Sequence, residues 1–174
     1  GFTAVLTSVA RGWPVTMLGR DEPDSFRAEL AGRLGGEYER LSDGESSLAD
    51  IQCDGYDLLL ECTGSDAVML TTARLVRSCG VIVWLGSSRV PQPGIHNVQR
   101  LMREGLLRNH IHLGCVNAAP RDFHDALQHL GQLATDRRAA ISALITARVR
   151  PAGSLWHYEH RQPQGIKTVL MYAS

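Results

Sequence analysis

Two short apolar runs constrain this chain most: Leu58-Leu59-Leu60 within Tyr56–Cys62, and Val81-Ile82-Val83-Trp84-Leu85. A strand with one wet face alternates apolar and polar residues. Continuous runs of strand length therefore imply burial on both faces, as in a sheet covered on each side by helices. The intervening segment supplies such a cover, with Val68, Leu70, Ala73, Leu75 and Val76 at helical spacing. Ser65 or Asp66 stands where an N-cap belongs, and Cys79-Gly80 breaks the pattern before the next strand.

The same alternation extends outward. Phe2, Val5, Leu6 and Val9 predict a helix ended by Gly12, Pro14–Leu18 a short strand, and Phe26, Leu30 and Leu34 a second helix closed by Gly35-Gly36. Glu37 to Gly55 is polar and reads as a mostly irregular connection. A helix is expected near Val98–Glu104, a strand over Ile111–Val116, a helix from about Asp122 to Leu133, and late strands over Leu144–Val149 and Lys167–Tyr172. Strands alternating with helices give an α/β fold, a doubly wound parallel sheet with helices on both faces. Ligands of such sheets sit beyond the carboxyl ends of the strands, here Leu18–Arg20, Cys62–Gly64 and Leu85–Ser88.

Composition narrows the function classes. The chain has 174 residues, 44% hydrophobic and 21% charged, which reads as one globular domain over residues 1–174. A domain of that size buries roughly 70% of its unfolded surface and needs neither disulfide nor structural metal. Eighteen basic and eighteen acidic residues leave no field of one sign, so neither nucleic acid nor a membrane surface is an expected partner. Cys53, Cys62, Cys79 and Cys115 show no CxxC or zinc spacing. Of the histidines, His110 and His112 share one strand face while His124 and His129 share no helical face, so no metal set is expected. No apolar run approaches a membrane span and no charged segment precedes an apolar leader at the start, which points to the cytoplasm.

Several segments together resemble a known family. They are the helix opening on Gly1, the strand end Leu18-Gly19-Arg20, Glu61-Cys62-Thr63-Gly64, the strand Gly80–Gly86, Gly114-Cys115-Val116-Asn117-Ala118, and Ile166-Lys167-Thr168-Val169-Leu170. In order and spacing the chain resembles the C-terminal cofactor-binding domain of medium-chain dehydrogenase/reductases, in the glucose dehydrogenase branch. The resemblance implies a Rossmann-type domain. In that family a first strand and a G-x-G-x-x-G turn precede the helix, of which only the final glycine, Gly1, is present. It implies that this chain is a fragment of a larger enzyme, inactive alone, with the catalytic domain and any zinc in the missing N-terminal half.

The resemblance also assigns candidate residues. Gly1 would let the helix pack closely and turn its N-terminus to the cofactor pyrophosphate. Arg20 stands where enzymes that prefer NAD carry a carboxylate, and a guanidinium beside Gly19 suits a 2′-phosphate, so NADP is expected over NAD. Asp21, next in sequence, could still serve a ribose hydroxyl and allow NAD as well; a solvated loop arginine is the plainer reading of Arg20. Thr63 and Gly64 would approach the adenosine or ribose, and Leu85, Gly86 and Ser87 the nicotinamide ribose and carboxamide. Cys115, Val116 and Asn117 would pass the nicotinamide. Asn117 could also reach a substrate hydroxyl, although it could equally be a turn residue. Lys167, the sole lysine, would supply a cation near the cofactor phosphates. Glu61 is a lone strand-end carboxylate, Trp13, Trp84 and Trp156 read as packing, and no catalytic residue is assigned.

The function implied is the NADP-binding part of an oxidoreductase in carbohydrate metabolism that oxidises a sugar or polyol hydroxyl. Alternatives are another medium-chain alcohol, polyol or quinone reductase, or a non-catalytic cofactor-sensing module. A homo-oligomer is compatible with each.

Overall fold

The computed structural model describes residues 1–41, 55–86, 98–160 and 162–172, with the side chains of Asp66, Ala67 and Leu70 left aside. In chain order the elements are α1 (Phe2–Ala10), β1 (Thr16–Gly19), α2 (Phe26–Arg33), β2 (Glu37–Arg40), β3 (Tyr56–Glu61), α3 (Asp66–Thr72) with a 3-10 turn at Ala73–Leu75, and β4 (Val76–Trp84). Then come α4 (Val98–Arg108), β5 (Ile111–Gly114), α5 (Pro120–Ala143), β6 (Ile145–Val149), a 3-10 turn at Pro151–Gly153, α6 (Ser154–Glu159) and β7 (Lys167–Leu170). The described strands form three ladders, β1-β2, β3-β4-β5 and β6-β7, and every pairing is parallel. The chain divides into two compact units, one of residues 2–40 and 120–174, the other of residues 41–119 with Gly1.

In the first unit, Phe2, Val5 and Leu6 of α1 meet Leu30, Ala31 and Leu34 and, from the end of the chain, Leu133, Ala140 and Leu144. Burying this stripe drives both helices into place, since helices of eight or nine residues hold little structure alone. Ser25 caps α2 by accepting from the Ala28 N–H at 3.2 Å. At the other end Gly35 takes φ +94° and the Gly36 N–H reaches the Ala31 carbonyl at 3.0 Å, a left-handed cap that aims the chain into β2.

The strand β2 corrects the expectation of a mostly irregular connection from Glu37. The polar segment Glu37-Tyr38-Glu39-Arg40 pairs in register with β1, Thr16 opposite Glu37 and Gly19 opposite Arg40. Its backbone partners come from β1, and neither face is wholly buried, so an apolar-run criterion passes over it. α5 also runs past Leu133 to Ala143, with a break at Arg137 (φ −122°, ψ 19°), and α6 was not foreseen.

In the second unit Ala73, Val76 and Ile82 form the core, with Leu59, Trp84 and Leu101 against them. Here too the sequence reading shifts. The helix stops at Thr72, and Val76, expected on the helix, is the first residue of β4, opposite Tyr56. Two long-range contacts decide this: the Arg108 guanidinium donates to the carbonyls of Arg74 and Val76 at 3.2 and 3.1 Å, and the Val76 side chain is fully buried. The Cys79-Gly80 break is a kink within the strand, with Cys79 at φ +62°. Gly80 is required there, since a Cβ would lie 2.9 Å from the Arg77 carbonyl and 3.1 Å from that of Asp57. β5 closes at Gly114, short of the expected Val116. Among the described residues no helix is long and apolar enough to cross a membrane.

Candidate functional site

The carboxyl end of β1 and β2 is one candidate corner. Gly19 closes β1, and a Cβ there would lie 2.6 Å from the Tyr38 Oη, so the missing side chain is what lets the tyrosine ring cover the strand end. The Tyr38 hydroxyl donates to the Asp21 carbonyl at 2.8 Å, fixing the turn that follows. Burial, and next the Asp21 carboxylate, raise the Tyr38 pKa above 10.0, so this donor stays protonated through the neutral range.

Charge at this corner is unevenly spent. The Asp21 carboxylate lies 3.8 Å from Arg27, and Glu22 pairs with Arg40 at 2.9 Å. A second Arg27 nitrogen donates to the Gly165 carbonyl at 2.8 Å. Arg20 is exposed, and among the described residues its guanidinium makes neither ion pair nor hydrogen bond. A free, exposed guanidinium beside a side-chain-free residue can grip a planar or tetrahedral anion. Asp21, by contrast, faces a competing cation before it can serve a ribose.

The carboxyl ends of β3 and β4 form a second corner. Glu61 is 3% exposed, and sequence reasoning missed its role. Its carboxylate accepts the Thr63 N–H at 2.8 Å, the Thr63 hydroxyl in a short bond, and the Gly64 N–H at 3.3 Å. Its own carbonyl accepts the N–H groups of Leu85 and Gly86 at 2.9 and 3.0 Å. One residue therefore ties the Thr63-Gly64 turn to the Leu85-Gly86 exit. Gly86 is bound to be glycine, because a Cβ would lie 2.7 Å from the Glu61 Oε2 and 2.8 Å from the Gly64 Cα. Gly64 itself takes φ +65°, which supplies the turn. The signal available in the sequence was the short Glu-x-Thr-Gly spacing, which lets a strand-end carboxylate reach the N–H groups two and three residues ahead of it.

The remaining candidates are placed less closely. Cys115 follows β5 and its N–H donates to the Trp84 carbonyl at 3.0 Å, which brings it beside the second corner. Val116 is 91% exposed and Asn117 is exposed, with no side-chain partner among the described residues. Gly1 is exposed ahead of α1, and Ser87 lies outside the described residues. Lys167 opens β7 rather than closing a strand, and its carbonyl accepts the Thr146 hydroxyl at 3.2 Å. Among the described residues no three His, Cys, Asp or Glu side chains gather to hold a metal. His110 and His112 have ring centroids 6.0 Å apart, and His112 leans on Trp84 at 5.6 Å. Desolvation there, and next the neighbouring His110, lower the His112 pKa.

Comparison with known proteins agrees with this architecture. The family described as glucose dehydrogenase C-terminus matches residues 1–172. Glucose 1-dehydrogenase 1 of Caldivirga maquilingensis is 31% identical over 98% of this chain and 46% of its own length. Glucose 1-dehydrogenase 2 of Vulcanisaeta moutnovskia is 32% identical over 85% of this chain and 40% of its own. The chain thus spans about half the length of the curated relatives it matches. Among solved structures, glucose dehydrogenase from Haloferax mediterranei superposes with a TM-score of 0.78 at 18% identity, over 100% of this chain and 49% of that one. The same enzyme is also known in complex with NADP, Zn and gluconolactone. At that identity the likeness shows the fold: a Rossmann-type α/β arrangement of parallel strands flanked by helices.

Proposed function

Because this chain belongs to the glucose dehydrogenase C-terminus family, we propose that it is the NADP-binding half of an oxidoreductase of carbohydrate metabolism, one that oxidises a sugar or polyol hydroxyl. The chemistry NADP supplies when bound is acceptance of a hydride. The work of this chain is to bind and orient that cofactor and to keep its reactive face in register with the substrate carbon.

The observation that carries the cofactor choice is Arg20, exposed and free of partners among the described residues, beside Gly19 and two acidic residues already engaged by Arg27 and Arg40. The residues fit a 2′-phosphate: the guanidinium offers a fork of donors, and no unpaired carboxylate stands in its place. Thr63, Gly64, Leu85 and Gly86 would line the way to the nicotinamide half, followed by Cys115, Val116 and Asn117. Asn117 can both donate to and accept from a substrate hydroxyl. A zinc ion, which would polarise the substrate oxygen, would belong to the half of the relatives that this chain does not span. Among the described residues the thiols of Cys62, Cys79 and Cys115 form no disulfide, which suits a reducing cytoplasm.

The test is calorimetric titration of the intact protein with NADP and with NAD, followed by oxidation assays over a panel of aldoses and polyols. Tighter binding of NADP and reduction with a sugar are expected. Preference for NAD, or binding of neither dinucleotide, overturns the assignment.

A further inference from the structure

The acidic residue just past the exit of β1 is held from two sides, and the hold reaches to the far end of the chain. The Tyr38 hydroxyl donates to the Asp21 carbonyl at 2.8 Å, which fixes the backbone, and the Asp21 carboxylate stands 3.8 Å from the Arg27 guanidinium, which draws the side chain toward α2. Arg27, in the first turn of α2, is itself anchored. Its Nη2 donates to the Gly165 carbonyl at 2.8 Å, its side chain is only 21% exposed, and its buried Nε has no partner among the described residues. The Gly165 turn is closed by the Gly165 N–H on the Gln162 carbonyl at 3.0 Å, and the Ile166 N–H goes to the Thr146 hydroxyl at 2.9 Å. All of these residues belong to one unit.

A carboxylate at this place in a Rossmann-type fold is what accepts the ribose hydroxyls of NAD. Asp21 has a short stem, and a guanidinium bonded to the Gly165 turn does not travel with it toward a ligand. We infer that Arg27 is a positioning residue that withholds Asp21 from the adenosine ribose, so that discrimination between the two dinucleotides is set by this restraint as well as by Arg20. The inference deepens the NADP assignment above and rests on it. Without the Arg27 charge the carboxylate is free to accept ribose hydroxyls, which favours NAD, and its negative charge is left facing a 2′-phosphate, which disfavours NADP. Loss of a merely structural arginine would weaken both dinucleotides alike.

The test is calorimetric titration of NADP and of NAD into the intact protein carrying Arg27→Gln, whose amide keeps a donor for the Gly165 carbonyl without the charge. The Kd for NAD should fall about three- to tenfold and that for NADP should rise by about as much. In the double variant with Asp21→Asn the gain for NAD should vanish. Asp21→Asn alone should leave the Kd for NAD within about twofold, because the carboxylate already serves Arg27. Three results overturn the inference and leave the NADP assignment standing: no gain for NAD in folded Arg27→Gln, a gain that survives in the double variant, or weakening of NAD by about threefold or more in Asp21→Asn alone. Failure of the unmutated protein to bind either dinucleotide overturns both. Should Arg27→Gln not fold, Asp21→Asn decides by itself.

Discussion

Replacing Arg20 by alanine separates the two nicotinamide dinucleotides by one chemical group. The side chain is exposed and free of ion pairs and hydrogen bonds among the described residues, while Asp21 and Glu22 keep Arg27 and Arg40 whether or not Arg20 is present. Truncation should thus leave stability within about 0.5 kcal/mol, and any change in binding is not a folding effect. A forked guanidinium–phosphate contact contributes on the order of 1.5–3 kcal/mol, as hydrogen bonds to charged groups do. The Kd for NADP should then rise roughly ten- to hundredfold, while that for NAD, which carries a hydroxyl at that position, should move by about twofold or less. Calorimetric titration of both dinucleotides at low and high salt measures this, and the salt dependence of NADP binding should weaken in the variant because a screened charge pair has gone. Arg20→Lys keeps the charge without the fork and should fall between. Unchanged NADP affinity in Arg20→Ala would refute the reasoning, as would equal losses for NADP and NAD.

Three further outcomes follow from the geometry. Gly86→Ala pushes a methyl group against the Glu61 carboxylate and the Gly64 backbone and should cost about 1–3 kcal/mol, read as a lower Tm together with weaker dinucleotide binding; an unchanged Tm would show that Gly86 does not pack against Glu61 and Gly64 as described. Tyr38 has its pKa raised in the folded state, so its contribution is complete below pH 10.0 and is lost as pH climbs through the higher folded value. Tyr38→Phe should flatten that alkaline loss and, through the missing bond to Asp21, cost about 0.5–1.5 kcal/mol at neutral pH in a denaturant titration. His112 is shifted the other way: below pH 6.5 the unfolded chain takes up the proton first, so stability falls as pH drops through the depressed folded pKa. His112→Gln should lessen that acid loss in Tm measured against pH, and an identical acid limb would count against the Trp84 and His110 contacts as its cause.

The sequence by itself determined the elements that carry a strong local signal. The runs Leu58–Leu60 and Val81–Leu85 are strands because continuous apolar residues must be covered on both faces, and α1 and α2 end where Gly12 and Gly35 take positive φ. It also placed Gly19, Arg20, Thr63, Gly64 and Gly86 at strand exits, since strand ends in a parallel α/β chain are legible from where apolar runs stop at glycine. Only the tertiary structure decided the rest. The polar β2 exists because β1 offers it a parallel ladder, and Val76 leaves the helix because Arg108, far along the chain, holds that turn by its carbonyls. Glu61 looked like a lone carboxylate. Its meaning came from the hydrogen bonds that its burial imposes, for a charge removed from water must be met by donors, and here those donors are the N–H groups of the Thr63-Gly64 turn at the strand exit.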